Sequence, residues 1–239
     1  MKASPAAVRE ARRGAATRIP SAAMKIAPSI LAADFAHLAA EVERVAADVD
    51  LLHVDCMDGH YVPNLSIGPP VVASLRKYTD LYLDCHLMCS KPEALLAAFA
   101  DAGADGITVH VELGDPRPLL DEIRGLGMRT GLTFEPATPF ASVEPFLGEI
   151  DTLLVMSVRT GFGGQAFIPE VLDKLVEARR AIDGRGLSVE IEIDGGIKVD
   201  NARLAARAGA DILVAGTAIF GASDQAAAAR AIREAAWPT

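Results

Sequence analysis

Cysteine is scarce in this sequence: Cys56, Cys85 and Cys89 are the only three in 239 residues, and no two are spaced as CxxC. An odd count without such a pair fits a reducing compartment. It also argues against a structural zinc site built on thiolates, which wants four soft ligands. Long apolar runs are missing too. No stretch approaches the ~20 apolar residues that a bilayer-spanning helix requires, so no membrane partner is expected. Basic residues are outnumbered, 23 Lys and Arg against 32 Asp and Glu, for a formal net charge of −9. Nucleic acid is therefore not expected as a partner, because backbone phosphates demand a basic footprint. A small anion remains compatible with this charge, since a few backbone amides or a helix N-terminus can hold one. The dinucleotide fingerprint is absent as well: GFGGQ neither follows GxGxxG nor sits after a first strand.

What is present is a chain about as long as a single (β/α)₈ barrel, typically ~250 residues. Hydrophobic residues make up 51% of it and charged residues 23%, proportions that suit a large globular core. Short β-branched runs alternate with Ala/Leu-rich stretches. Strands are expected over residues 25–29, 51–55, 81–86, 106–110, 129–134, 152–156, 188–193 and 211–214. Helical periodicity lies between them, as in Phe35, Leu38, Val42 and Val45, or Val171, Leu175 and Ala178. Two segments echo each other, AGADGITVH at residues 102–110 and AGADILVAG at residues 208–216. Each places Gly where a helix would end in a left-handed cap, with a buried strand next. This α-to-β joint predicts a TIM (β/α)₈ barrel, with a doubly wound sheet as the competitor. No long linker interrupts it, so residues 24–239 are read as one domain.

Residues 1–23 differ in character. They carry Lys2, Arg9, Arg12, Arg13 and Arg18 against the single acid Glu10, and they lack the apolar core of a secretory signal. They are read as a basic extension, either disordered or targeting-like. A cytoplasmic location is expected, with organelle targeting by this extension left open.

In a TIM barrel the chemistry sits at the C-terminal ends of the strands, and the polar residues gather there. The second strand ends in LLHVDCMDGHYVPN, where His53 and Asp55, two apart, share a face. The third ends in DCHLM, where Asp84 and His86 do the same. The seventh ends in EIEIDGG and delivers Asp194. Two imidazoles and two carboxylates, His53, Asp55, His86 and Asp194, make a cage for one divalent cation. Mixed nitrogen and oxygen donors suit Zn²⁺, Fe²⁺, Mn²⁺ or Co²⁺ better than Mg²⁺ or Ca²⁺. Asp84 is placed to hold His86 from behind. His110 is expected at the pocket rim, His60 on a loop and His37 on the surface.

Three glycine-bearing loops follow the last strands: RTGFGGQ at residues 159–165, DGGI at 194–197 and AGTAIF at 215–220. Glycine lets backbone approach a ligand closely. TIM barrels often bind phosphate with the loops after strands 7 and 8. Gly195, Gly196, Gly216 and Thr217 occupy those places, and GFGGQAF reads as a flap that closes over a substrate.

Taken in order, PSILAADF, HVDCMDGHYVPN, DCHLM, GFGGQ, IDGGI and GTAIF resemble the motifs of the ribulose-phosphate 3-epimerase family over nearly the whole chain from Lys25 to about Ala235. That resemblance implies a (β/α)₈ barrel, one divalent metal ion and interconversion of D-ribulose 5-phosphate with D-xylulose 5-phosphate. Carbohydrate metabolism is the implied setting, in the pentose phosphate pathway or the Calvin cycle. The resemblance assigns His53, Asp55, His86 and Asp194 as metal ligands, with Asp55 and Asp194 doubling as the acid/base pair. Ser29, His86, Met57, Met88 and Met156 resemble substrate contacts near the reacting carbons. Gly163, Gly164, Gly195, Gly196, Gly216 and Thr217 resemble phosphate-binding positions. A homo-oligomer is implied by analogy alone.

The sequence departs from the family pattern twice. The usual flap opens with Asn-Pro, where this chain has Arg159-Thr160. The fifth strand usually ends in Asn-Pro, and here it reads Phe134-Glu135-Pro136. Both changes lie near the pocket mouth. The rival readings are a 3-epimerase of a six-carbon ketose phosphate such as D-allulose 6-phosphate, a metal-dependent hydrolase or lyase using the same cage, and a phosphate-binding barrel without activity.

Overall fold

A computed structural model describes residues 24–236. The basic extension at residues 1–23, and with it the targeting question, lies outside the described residues. Eight runs rich in Val, Ile and Leu form strands: β1 (Lys25–Pro28), β2 (Leu51–Met57), β3 (Tyr82–Met88), β4 (Gly106–His110), β5 (Arg129–Phe134), β6 (Thr152–Met156), β7 (Glu190–Asp194) and β8 (Ile212–Ala215). Seven parallel ladders join them in the order β1-β8-β7-β6-β5-β4-β3-β2. A parallel bridge between Ser29 and His53 brings β1 back beside β2, so the sheet forms a nearly closed barrel. Every residue of β2 is buried, as expected of a parallel strand covered on both faces.

The helices are α1 (Leu38–Val45), α2 (Pro69–Leu75), α3 (Leu96–Ala102), α4 (Arg117–Gly125), α5 (Val171–Gly184), α6 (Val199–Ala208), α7 (Thr217–Phe220) and α8 (Gln225–Ala236). They turn apolar stripes inward; α5 buries Val171, Leu175, Ala178 and Ile182. Each large aliphatic side chain buried this way contributes roughly 1.5–3 kcal/mol. One expected helix is missing. Between β5 and β6 the chain forms only two 3-10 segments, Phe140–Ser142 and Glu144–Glu149. Pro139 and Pro145 remove amide donors there and Gly148 weakens the rest, so an α-helical ladder cannot propagate.

The repeated AGAD segments behave as expected. Helix α3 ends on Gly103 at φ 96° and α6 on Gly209 at φ 117°, both left-handed. The aspartate that follows is part of a wider pattern at the base of the barrel. Asp50, Asp105, Asp151 and Asp211 each precede an even-numbered strand. Their carboxylates accept the backbone N–H of Ile26, Leu83, Thr130 and Ile191 at 2.8–2.9 Å, one on each odd-numbered strand. Hydrogen bonds to a charged group contribute about 1.5–3 kcal/mol each. Inside the barrel the packing is unusually polar, with His53, Asp84, Thr108, Thr133 and Glu192 all buried. The apolar core lies between sheet and helices, which leaves the barrel's axis for chemistry.

Candidate active site

Register sets the cage. In the β2–β3 ladder His53 pairs with Asp84, Asp55 with His86 and Met57 with Met88. In the β6–β7 ladder Met156 pairs with Asp194. Period-two alternation turns all of these side chains toward the barrel axis. One ligand atom from each of His53, Asp55, His86 and Asp194 falls within 4.8 Å of the other three, the only described four-residue grouping of this kind. His86 Nδ1 lies 3.2 Å from Asp55 Oδ1, and His53 Nε2 lies 3.4 Å from the same oxygen. Both imidazoles are fully buried. His53 Nε2 has no hydrogen-bond partner, an orphaned buried nitrogen whose lone pair a metal ion would use.

The electrostatics also call for a cation. Burial opposes charge on His53, yet the carboxylates of Asp55, Asp84 and Glu192 crowd it and push its proton affinity well up. Burial alone would raise the Asp55 carboxyl. The His53 and His86 imidazoles outweigh that and hold it well below the usual range, so Asp55 is ionised. Asp194 goes the other way: burial, then the Asp55 charge, pushes it up to about 7. The two aspartates are thus pushed in opposite directions although they face one centre. Burial drives His86 down to about 4, which keeps it neutral and fit to be a ligand.

Two expectations need correction. Asp84 does not hold His86; its Oδ2 is 3.0 Å from His53 Nδ1, because the ladder places it opposite His53. His110 is not at the rim. It is buried, and its Nε2 sits 2.8 Å from His86 Nε2. His60 is exposed on the loop after β2, and exposed His37 pairs with Asp34 at 2.7 Å. Sequence reasoning missed Glu192. It is fully buried, and burial followed by the Asp84 charge pushes it up to about 8. Its Oε1 is 3.2 Å from His53 Nδ1, while Asp84 Oδ2 lies nearer to that nitrogen at 3.0 Å. The signal was available: in EIEID, Glu192 stands two before Asp194 and must share its face.

A cavity of about 300 Å³ opens over the cage. Ser29, Asp55, Met57, Met88, Met156 and Asp194 form its floor and sides, whereas His53 and His86 lie behind them. Ser29 Oγ donates to Asp55 Oδ2 at 2.6 Å. Gly163, Gly164, Gly195, Gly196, Gly216 and Thr217 line the same cavity. Gly195 and Gly196 are required by geometry. A Cβ on Gly195, at φ 123°, would lie 2.6 Å from Val158 Cγ2, and one on Gly196, at φ 64°, 2.6 Å from the Phe167 nitrogen. The flap at residues 159–165 forms another wall, tied down by Asn64 Nδ2 donating to Gly161 O at 2.8 Å and by Gln165 Nε2 donating to Arg159 O and Phe162 O.

The profile of the Ribulose-phosphate 3 epimerase family matches residues 25–220. The chain belongs to the ribulose-phosphate 3-epimerase family. Ribulose-phosphate 3-epimerase of Mycobacterium tuberculosis strain H37Rv is 51% identical over 212 residues, covering 88% of this chain and 92% of that one. The cytoplasmic isoform of ribulose-phosphate 3-epimerase from Oryza sativa subsp. japonica is 46% identical over 220 residues, covering 90% and 95%. Among solved structures, orotidine 5'-phosphate decarboxylase from Pyrococcus horikoshii OT3 superposes with a TM-score of 0.67 at 17% identity, over 90% of this chain and all of that one. That last likeness concerns the barrel alone. As a ribulose-phosphate 3-epimerase family member, the chain is an isomerase of carbohydrate metabolism, and its His/Asp cage fits a divalent metal ion.

Proposed function

We propose that this chain interconverts D-ribulose 5-phosphate and D-xylulose 5-phosphate by moving one proton on and off C3. The observation that carries the reading is that the Asp55 and Asp194 carboxyls come from different strands onto one cavity floor and face a single centre, with Asp55 held low and Asp194 pushed up. Epimerisation next to a ketone needs such a pair, a base to take the proton and an acid to return one to the opposite face. Asp55 is assigned as the base and Asp194 as the acid, and their roles exchange when the reaction runs backward. Ser29, donating to Asp55 Oδ2, orients the base.

His53, Asp55, His86 and Asp194 would hold a divalent ion, which would supply Lewis-acid stabilisation of the charge that builds on the substrate's oxygens, worth several kcal/mol. The donor set favours Zn²⁺, Fe²⁺, Mn²⁺ or Co²⁺. Met57, Met88 and Met156 give the reacting carbons an apolar, water-poor wall. Their soft thioethers adapt to a planar enediolate without offering it a competing proton. The glycine loops after β6, β7 and β8 receive the phosphate, and the flap shuts solvent out. No helix among the described residues is long and apolar enough to cross a membrane. Cytoplasmic action fits this reading.

The test is direct. Metal-loaded protein incubated with D-ribulose 5-phosphate in D₂O is expected to yield D-xylulose 5-phosphate deuterated at C3 with no carbon–carbon cleavage. Chelation abolishes turnover, and added divalent ion restores it. Cleavage products, or faster turnover of a six-carbon ketose phosphate assayed alongside, would replace the reading.

A further inference from the structure

Behind the cage runs a line of contacts that the epimerisation scheme does not use. His86 Nδ1 faces Asp55, and on its far side His86 Nε2 meets His110 Nε2 at 2.8 Å. His110 Nδ1 then meets Glu112 Oε2 at 3.2 Å. Glu112 is held in turn: its Oε1 accepts the backbone N–H of Glu135 at 2.8 Å and the Thr138 hydroxyl at 2.5 Å. The Tyr61 ring packs on His110 with centroids 4.7 Å apart, which confines the imidazole from the other side.

Hydrogen-bond chemistry gives this line a direction. Two ring nitrogens 2.8 Å apart share one hydrogen, so one donates and the other accepts. A carboxylate whose other oxygen already receives two donors is an acceptor, so His110 Nδ1 carries the hydrogen that faces Glu112. A neutral His110 then presents a lone pair at Nε2. That lone pair takes the hydrogen of His86 Nε2, which leaves the His86 Nδ1 lone pair for a cation in the cage; without a cation the Asp55 carboxylate, 3.2 Å from His86 Nδ1, competes for a hydrogen there. The opposite polarity would put a hydrogen on His86 Nδ1 and take away its capacity to bind a cation.

We propose that Glu112 and His110 are positioning residues that fix His86 in the tautomer whose Nδ1 lone pair faces the cage, through a relay of two imidazoles anchored by one carboxylate. The inference rests on the reading of the cage as a metal site. It adds that ligand readiness on the β3 side is set from the β4 and β5 ends. A carboxylate beside a metal-bound histidine ordinarily does this directly; here a second histidine carries the instruction one residue further. On the β2 side Asp84 acts on His53 without an intermediary. The two histidines of the cage are therefore oriented by different means.

The full-length chain tests this by ¹⁵N NMR of its histidines, metal-free and zinc-loaded, together with cobalt(II) absorption and chelator competition. In the zinc-loaded wild type, His110 is expected to be protonated at Nδ1 only and His86 at Nε2 only. His110→Leu should weaken zinc binding by about 10–100-fold, the usual scale for losing a partner behind a ligand, and should shift the cobalt(II) d–d bands. His110→Gln, whose amide oxygen can still accept from His86 Nε2, should restore both. Glu112→Gln should mix the His110 tautomers. A zinc-loaded wild-type His110 protonated at Nε2 overturns the inference, whatever the variants' folding. So does a His110→Leu protein with unchanged zinc affinity and cobalt spectrum. A wild type that takes up no divalent ion removes the metal reading and this inference with it, which is a separate result.

Discussion

The Thr160 hydroxyl donates to the Glu135 carboxylate, joining the first residues of the flap to the end of β5. The Thr160 backbone N–H points to the same carboxylate at 3.4 Å. These are the two places where the sequence departs from the family's Asn-Pro pairs, and the departures meet in space. A proline at 160 would have neither hydroxyl nor N–H to give. Here the start of the loop is held by a hydrogen bond to a carboxylate, whereas a proline would hold it by ring stiffness. Thr160→Val and Glu135→Ala should each lower kcat/KM by roughly tenfold, in line with the loss of a hydrogen bond to a charged group. Hinge changes move kcat and KM together. A double-mutant cycle on kcat/KM checks the coupling, and additive losses would dissolve the pair.

Asp55→Asn and Asp194→Asn should each reduce turnover by ~10²–10⁴-fold, the scale of general acid–base groups. Steady-state assays with bound metal quantified alongside separate lost chemistry from lost metal. Near-normal turnover in either variant with the ion in place would end the two-carboxylate scheme.

Alanine at the glycine wall should be tolerated in a defined order. At Gly196 the new Cβ meets the Phe167 nitrogen at 2.6 Å and Gln165 O at 2.9 Å, both backbone atoms that cannot swing away. At Gly216, φ −95°, the nearest atom is Ala32 Cβ at 3.2 Å. Gly196→Ala should therefore destabilise the fold by more than the ~1–2 kcal/mol of a left-handed non-glycine residue. Gly216→Ala should mainly raise KM. Thermal unfolding and KM, measured on both, test the ranking.

In the metal-free protein Glu192 carries a pH signature. The folded chain keeps it protonated up to about pH 8, while the unfolded chain releases that proton near pH 4.5. Its stability contribution is present below the lower value and is lost as pH rises through the upper one. Glu192→Gln cannot ionise. The thermal midpoint of that variant should gain on the wild type steadily between pH 4.5 and 8. A constant gap across the range would show that Glu192 does not titrate there.

Much of this architecture was legible. The expected strands at residues 106–110, 129–134 and 152–156 coincide with β4, β5 and β6. Strands β2 and β3 run two residues beyond expectation, each adding a buried apolar pair, Cys56-Met57 and Leu87-Met88, past the polar residue expected to end the strand. The seventh begins at Glu190, two residues later than expected. Period two was enough to pair His53 with Asp55 and Asp84 with His86 on shared faces. It could not give cross-strand register, and register decides that Asp84 stands opposite His53. The missing helix after β5 could have been anticipated from Pro139, Pro145 and Gly148. Glu192 was overlooked although period two puts it on the face of Asp194; its full burial is what only the fold shows.

The aspartates at 50, 105, 151 and 211 divide the barrel into quarters of two strands, each stapled at its own base. New chain ends opened before β3, β5 or β7 leave every staple inside one continuous segment, whereas ends opened before β4 or β6 split one. The foot of the barrel thus carries one side-chain staple per strand pair, whereas at its mouth side chains from several pairs face a single centre that fits a divalent ion.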